Sequence, residues 1–221
     1  KKKKEEEPAQ ATVDFLTWDP WAIRSWSQEG EDIVLRRIFE HKDMGFYVDV
    51  GAHHPKRFSN TYLFFKKGWS GINIDAMPRS MELFQKWRPR DINLEVGVAQ
   101  AAGSLDYYVF NEPALNGFSP ELSNDRNKAG NSHRIEAVIK VKVRPLAEIL
   151  EAHVGENRID FLTVDVEGLD LEVLKSNDWT KFRPKYVLAE ILGSSRIDLF
   201  ESSIPQFLQD QGYVFYFFFF F

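Results

Sequence analysis

Apolar and polar positions alternate along this chain in two different periods, and these periods predict a series of helices and strands. Residues 27–41 repeat apolar side chains near the helical period, whereas Phe46–Val50 is a short run, apolar except for Asp49, typical of a buried strand. The same criteria predict helices over 27–41, 59–67, 78–87, 145–152, 169–175 and 205–211, and strands over 46–50, 72–74, 92–99, 104–110, 137–143, 161–166 and 186–191, with a closing strand from Tyr213.

The order of these elements predicts an α/β fold. The first three strands are separated by helices, which implies a mostly parallel sheet joined by right-handed crossovers, with helices on both faces. Residues 111–132 are rich in Asn, Ser, Pro and Gly and predict a long loop, of a length that is often functional in compact domains. We expect residues 1–24 to be a leader that is partly low-complexity, and residues 25–221 to form one domain.

Composition and charge narrow the class of protein. The net charge of −5 does not suggest nucleic-acid binding, and the absence of cysteine excludes disulfides and thiolate chemistry. No apolar run reaches the roughly 20 residues of a membrane-spanning helix, and no signal peptide is visible. We therefore expect a cytoplasmic protein without a membrane span; the oligomeric state stays open.

Two predicted strands end in acids at what should be the same edge of the sheet. The first ends Asp49-Val50-Gly51 and the second ends at Asp75. Gly51 would let a ligand approach the backbone, and an acid about 20 residues later can accept hydrogen bonds from ribose hydroxyls. The alternative is that Gly51 only allows a tight turn and Asp75 only caps a helix.

The glycine pattern after the first strand bears on which cofactor could bind. Residues 52–55 read Ala-His-His-Pro, so the G-x-G-x-x-G pattern that brings a pyrophosphate close to the backbone is missing. A cofactor that has a ribose but no pyrophosphate fits better, and S-adenosyl-L-methionine is such a cofactor.

Four further residues are candidates for acid–base chemistry. Asp165 and Glu167 follow a later strand, and alternation predicts that they lie on the same side, where they could position an acceptor hydroxyl, act as a base or bind a divalent cation. Helix capping is the alternative for this pair. His53 could also serve as a base, although adjacent histidines on a loop are often simply exposed. Glu190 has a weaker claim of the same kind.

In order and spacing, several segments resemble the FkbM family of S-adenosylmethionine-dependent methyltransferases. The segments are 27–32, 48–52, 59–61, 74–75 and 164–168. The resemblance implies a Rossmann-like fold with a seven-stranded sheet and O-methylation of a sugar or another small hydroxylated metabolite. It also implies a cofactor site formed by Gln28, Asp49, Gly51, Ala52 and Asp75, with Asp49 and Gly51 near the methionine part and Asp75 at the ribose.

Two other functions are compatible with the same pattern. One is an NAD-dependent sugar oxidoreductase, against which the incomplete glycine pattern counts. The other is a non-catalytic cofactor-binding protein of the same fold, against which the acids at the strand ends count weakly.

Overall fold

The structure is a computed structural model that describes residues 21–128, 130–191 and 203–216. The helices are α1 Glu31–Ile38, α2 Tyr62–Lys66, α3 Ser80–Trp87, α4 Pro120–Arg126, α5 Leu146–His153, α6 Asp170–Lys175 and α7 Ser203–Asp210. The strands are β1 Phe46–Val50, β2 Ser70–Asp75, β3 Ile92–Glu95, β4 Gly97–Val98, β5 Gly103–Phe110, β6 Ile135–Arg144, β7 Phe161–Val164 and β8 Tyr186–Ala189. A 3-10 turn, Pro113–Leu115, precedes α4.

The main sheet is parallel and has the strand order β3-β2-β1-β7-β8. The chain builds outward from β1 through β2 to β3, and then returns to the other side of β1 with β7 and β8. The order therefore reverses between β1 and β7, and ligands of open α/β sheets bind beyond the carboxyl ends of the strands at such a point.

Helices cover both faces of this sheet, as the period-two pattern of β1 requires. Val48 and Val50 pack with α5 and α6 on one face. Tyr47 points to the opposite face, where it packs with residues of α1 and α2 and with Phe161. Because both faces are covered, all five residues of β1 are buried, which explains why every residue of the strand except Asp49 is apolar.

The expected seven-stranded sheet is wrong for the described part of the chain, which forms a five-stranded sheet and a separate three-stranded sheet of order β4-β6-β5. The predicted strand 92–99 divides into β3 and β4. Val96 still donates its N–H to the Asp75 carbonyl, but Gly97 pairs with Val143 of β6, so the chain leaves the main sheet there. The predicted strands 104–110 and 137–143 pair with each other and do not extend the main sheet.

The expected closing strand from Tyr213 is also wrong for the residues that the structure describes. Residues 213–216 form no strand. Gly212 has a φ of +79°, and Tyr213 donates its backbone N–H to the Leu208 carbonyl, so the chain closes the end of α7 and does not pair with β8. Residues 1–20, which include most of the expected leader, and residues 217–221 lie outside the described ranges.

Several other element boundaries differ from the expectation by a few residues, and two differences matter for the site. The first helix begins at Glu31, because Ser27 donates its hydroxyl to the Asp32 carboxylate and lies before the helix. The expected loop 111–132 contains the helix α4, whose N-cap Ser119 accepts the Leu122 N–H and whose first residue is Pro120. Among the described residues, no helix is both long and apolar enough to cross a membrane.

Candidate active site

A cavity of about 730 Å³ opens at the carboxyl end of the main sheet, where the strand order reverses. The ends of β1, β2, β7 and β8 form its floor, and residues of the second sheet and of the segment before α4 form a wall. Its lining includes Gln28, Gly51, His53, Asp75, Tyr107, Phe118, Arg126, Asp165, Glu167 and Glu190.

Gly51 makes the turn at the end of β1 possible. Its φ is +84°, and a Cβ at this position would lie 1.7 Å from the carbonyl oxygen of Asp165. Its N–H donates to the carbonyl of Ile74, which ties the end of β1 to β2. A side chain is therefore excluded both by the backbone conformation and by the close approach of the chain after β7.

Asp75, the last residue of β2, is buried at the cavity. One carboxylate oxygen accepts the N–H of His53 at 2.8 Å, and the other accepts the N–H of Met77 at 2.8 Å. Burial raises the pKa of this carboxyl group, while the two N–H donors act in the opposite direction. Since an ionised carboxylate has about four acceptor positions, Asp75 can accept further hydrogen bonds from a ligand.

Asp165 and Glu190 are brought together because β7 and β8 are neighbouring parallel strands. Each residue continues its strand by one backbone hydrogen bond, and ligand oxygens of their two carboxyl groups lie within 4.8 Å of each other. Asp165 is open to the cavity, yet the protein atoms packed around its carboxyl group, and then Glu190, raise its pKa well above the usual value. Burial likewise raises the pKa of Glu190 to about 7. The pair is therefore arranged to retain a proton near neutral pH.

Glu167 joins this pair through a turn, because β7 ends at Val164 and does not continue to Val166 as expected. It has a φ of +55°, and ligand oxygens of Asp165, Glu167 and Glu190 lie within 4.8 Å of one another. Arg126 of α4 donates to the Glu167 carboxylate at 2.6 Å. Burial raises the pKa of Glu167, and the Arg126 guanidinium partly opposes that effect.

The two adjacent histidines have different environments. His53 lines the cavity and has a φ of +50°, and among the described residues its buried Nε2 has no hydrogen-bond partner. Burial, followed by the charge of Arg57, lowers its pKa to about 4, so its imidazole is neutral at neutral pH. In contrast, Nδ1 of His54 accepts the N–H groups of Lys56 and Arg57, which closes the loop.

Asp49 and Ala52 are placed behind the cavity wall and are not part of its lining. Thr61 donates its hydroxyl to Asp49 at 2.6 Å, and burial raises the pKa of Asp49 to about 6. Ala52 packs against Met81 and Phe84. Gln28, by contrast, reaches the cavity from the segment before α1. The structure thus brings Gln28, Gly51, His53, Asp75, Asp165 and Glu167 to one cavity, and it separates Asp49 and Ala52 from them.

Sequence reasoning missed Arg126 and Tyr107. Arg126 was hidden in an expected loop, and nothing in its local sequence points to Glu167. Tyr107 fits an ordinary strand pattern, but its ring lies 4.8 Å from that of Phe118 on the cavity wall. Burial raises the pKa of the Tyr107 hydroxyl, and the charge of Asp75 raises it further.

These residues have the chemistry needed for a nucleoside and a second, hydroxylated ligand. Asp75 offers acceptors for ribose hydroxyls, and Gly51 exposes bare backbone. A cavity of this size is within the range that accommodates drug-sized ligands. The carboxyl groups of Asp165, Glu167 and Glu190 are oxygen ligands of the kind that divalent cations prefer, and they could equally accept hydrogen bonds from hydroxyl groups.

Comparison with known proteins identifies a family. The sequence model of the family described as Methyltransferase FkbM domain matches residues 49–215. No curated protein and no solved structure matches the chain. The matched range includes all the cavity residues described above except Gln28.

Proposed function

The chain belongs to the FkbM methyltransferase family, and from this premise we propose that it transfers a methyl group from S-adenosyl-L-methionine to a hydroxyl oxygen of a sugar or another small hydroxylated metabolite. The observation that carries this proposal is the shared cavity, in which Asp75 lies at the end of β2 and three clustered carboxyl groups lie beyond β7 and β8.

Asp75 is the residue best placed to select a nucleoside. The N–H groups of His53 and Met77 hold its two oxygens, so the carboxylate is fixed before any ligand arrives. A fixed acceptor costs less conformational entropy on binding than a mobile one. Ribose hydroxyls would donate to its remaining acceptor positions. Gly51 would allow the rest of the cofactor to pass close to the end of β1.

The carboxyl cluster favours a hydroxylated acceptor. Asp165, Glu167 and Glu190 present several acceptor oxygens within a small region of the cavity, and hydroxyl groups can donate to them. Binding here would align the acceptor oxygen with the methyl group, and alignment of the reacting atoms supplies much of the rate in such transfers.

S-adenosyl-L-methionine, when bound, supplies a methyl group on a positively charged sulfur that leaves as a neutral thioether. The acceptor hydroxyl must lose its proton during the transfer. His53 lines the cavity and its imidazole is neutral, so it is our first candidate for the base that accepts that proton. Glu167 and Asp165 are the other candidate bases. Glu167 is already hydrogen-bonded to Arg126, and the pKa of Asp165 is raised by its neighbour Glu190.

Calorimetric titration with S-adenosyl-L-methionine and with S-adenosylhomocysteine tests the cofactor. The wild-type protein should bind both, and Asp75→Asn should weaken binding by roughly ten- to a hundredfold, because a hydrogen bond to a charged group contributes about 1.5–3 kcal/mol. Asp106→Asn is the matched control, since Asp106 is exposed on β5 away from the cavity. A thermal melt of each variant separates lost binding from lost folding.

The same titrations distinguish the two alternatives. Binding of NAD, with no binding of S-adenosyl-L-methionine, would favour the oxidoreductase and refute the proposal. Binding of S-adenosyl-L-methionine without methylation of any hydroxylated acceptor in a broad panel would favour the non-catalytic protein. A parallel titration with Mg²⁺ tests whether the carboxyl cluster also binds a divalent cation. If the cluster is the site, the Glu190→Gln variant should lose Mg²⁺ binding.

A further inference from the structure

A surface of alternating cations and aromatic rings lies beside the cavity, on α2, α3 and the segments next to them. We call it the basic aromatic face, and it consists of Trp26, Lys56, Tyr62, Lys66, Trp87 and Arg90. Lys56 connects two of the rings, since its amine lies 3.1 Å from the centroid of the Trp87 ring and 5.7 Å from that of Tyr62.

The contacts continue from Tyr62 across the rest of the face. The ring of Trp26 meets that of Tyr62 edge-on at 5.5 Å, and the amine of Lys66 lies 4.6 Å from the Trp26 ring. Tyr62 also stacks on Phe65 at 6.3 Å, and the guanidinium of Arg90 lies 4.0 Å from the Phe65 ring. Phe65 is buried beneath the face and joins Arg90 to the other residues from below.

The positive charge of this face is not neutralised by nearby acids. Within the part of the chain that the structure describes, Lys56, Lys66 and Arg90 form no ion pair, and the exposed Lys67 and Lys86 beside them form none either. The whole chain carries a net charge of −5, so this concentration of cations is local. An anionic partner is the complementary one.

The arrangement of the rings decides which anionic partner fits. Proteins that bind single-stranded nucleic acid stack bases on free aromatic faces, but here a lysine amine of the protein already lies over the ring of Trp26 and another over that of Trp87. Trp and Tyr combined with Lys and Arg are the residues that proteins place at the membrane–water interface. Leu83 and Trp87 are one helical turn apart on α3 and are both nearly half exposed, which adds a small apolar element.

From these observations we infer that the basic aromatic face binds the anionic headgroups of a lipid bilayer and holds the protein at the membrane surface without spanning it. Lys56 connects this face to the cavity. Its N–H donates to Nδ1 of His54, and both His54 and the next residue, Arg57, line the cavity. Binding at the face would therefore place the cavity close to the bilayer.

Co-sedimentation of the full chain with lipid vesicles tests this inference. The wild-type protein should bind vesicles of phosphatidylcholine mixed with phosphatidylserine and should not bind vesicles of phosphatidylcholine alone. Binding should decrease as salt is added, because salt screens exposed charges. The triple variant Lys56→Gln, Lys66→Gln, Arg90→Gln should bind about a hundredfold more weakly, since each cation near an anionic surface contributes roughly fivefold.

A matched triple variant controls for net charge. Lys142→Gln, Arg158→Gln, Lys175→Gln removes the same charge from exposed positions outside the face, and it should bind vesicles within about twofold of the wild type. A second test variant, Trp87→Ala, keeps every cation and should weaken binding severalfold through the loss of the exposed ring.

Three results would overturn the inference. The first is that the wild type and the Lys56, Lys66, Arg90 variant bind vesicles equally well. The second is that the control triple variant loses as much vesicle binding as the Lys56, Lys66, Arg90 variant does. The third is failure to bind phosphatidylserine vesicles together with tight binding of a single-stranded oligonucleotide, which would identify a nucleic acid as the partner. Vesicle binding is measured without cofactor or acceptor, so its outcome does not depend on whether the protein is a methyltransferase.

Discussion

The properties of His53, the base in the proposed reaction, follow from its position in the fold. Its backbone is in the left-handed region, which is uncommon for a residue other than glycine, and its N–H is held by Asp75. These constraints place the imidazole in the cavity wall with Nε2 buried and unpartnered among the described residues. Burial then lowers the pKa of the ring to about 4, so the ring is neutral at neutral pH and has a lone pair, as the proposed reaction requires.

The first prediction concerns the protonation of His53. Because burial lowers its pKa to about 4, the neutral form predominates above that pH, so protonation of His53 should lower kcat/KM only near pH 4; a change near pH 7 would belong to Glu190, whose pKa is about 7. A histidine with the ordinary pKa of about 6.5 would give a decrease near neutral pH instead. Nuclear magnetic resonance titration of the imidazole measures the same pKa directly.

Variants separate the role of His53 from its pKa. His53→Gln should lower kcat by roughly a hundredfold or more, the usual contribution of a general base. His41→Gln is the matched control, since the His41 side chain is 92% exposed and lies outside the cavity. Unchanged kcat in His53→Gln would transfer the role of base to Glu167 or Asp165.

The sequence predicted the residues of the site unevenly. Asp75 and Gly51 could be found because an apolar run that ends in an acid or a glycine fixes the position of that residue at the edge of the sheet. The difference between His53 and His54 could not be found, because it depends on which backbone N–H groups each side chain meets. The expected roles of Asp49 and Ala52 in cofactor binding stay predictions, and both residues lie behind the cavity wall.

At the scale of elements, α4 links the segment between β5 and β6 to the acidic end of the cavity. Ser119 and Pro120 form its N-terminus, and Arg126 in its last turn contacts Glu167. The side chains of Arg126 and Glu167 are only 19% and 13% exposed, so this ion pair is shielded from water. Such a pair holds the helix over the cavity more firmly than a surface pair would.

The second prediction concerns this ion pair. Arg126→Gln should lower the free energy of unfolding by about 1–3 kcal/mol, because it leaves the shielded Glu167 carboxylate without its cation. Removal of the guanidinium should also raise the pKa of Glu167 further, since Arg126 now lowers it. Urea denaturation measures the first effect, and hydrogen exchange of residues 119–128 should become faster if α4 is released.

Lys128→Gln is the matched control for Arg126. Lys128 lies just after α4 and pairs with Asp125, but both side chains are well exposed, so its loss should change stability far less. Equal stability and equal hydrogen exchange in Arg126→Gln and Lys128→Gln would show that the contact with Glu167 does not hold the helix in place.

The sequence contained the signal for α4 but not its contact. Ser-Pro-Glu at residues 119–121 is a helix start, which the overall polar composition of the segment obscured. The predicted strand 92–99 failed for a different reason. The strand pattern continues through residues 92–99 without a break, whereas the division into β3 and β4 depends on the partner strand β6, which lies far away in sequence.

At the scale of the whole molecule, the main sheet contains a buried polar network beneath α2 and α3. Arg88 is fully buried and donates to Asp91, to the hydroxyl of Tyr47 and to that of Thr61. Thr61 in turn donates to Asp49. The network satisfies these groups where the interior cannot supply water, but it leaves Asp49 costly to ionise.

The third prediction follows from the raised pKa of Asp49. Between its ordinary value of 3.8 and about 6, the folded state binds more protons at this residue than the unfolded state. The contribution of Asp49 to stability is therefore fully present below pH 3.8 and is lost as the pH rises through 6. At neutral pH, Asp49→Asn should be more stable than the wild type by up to about 3 kcal/mol, and the two proteins should be similar near pH 4.

Denaturation curves at several pH values measure this difference between Asp49→Asn and the wild type. The difference is the useful quantity, because the lowered pKa values of His53 and His54 give the wild type an opposite pH dependence in an overlapping range. Asp106→Asn serves again as the exposed control. A difference that does not grow from pH 4 to pH 7 would contradict a costly charge at Asp49.

The sequence by itself determined the α/β class, the parallel order of the first strands, the acids at the strand ends and the resemblance to FkbM methyltransferases, which the family match confirms. These features depend on local periodicity and on which residue ends each strand. Only the tertiary structure decided the division into two sheets and the position of Asp49 outside the cavity lining. It also decided that Asp165, Glu167 and Glu190 lie together and that Arg126 contacts this cluster. Each of these depends on which distant segments pair and pack, and no local pattern specifies that.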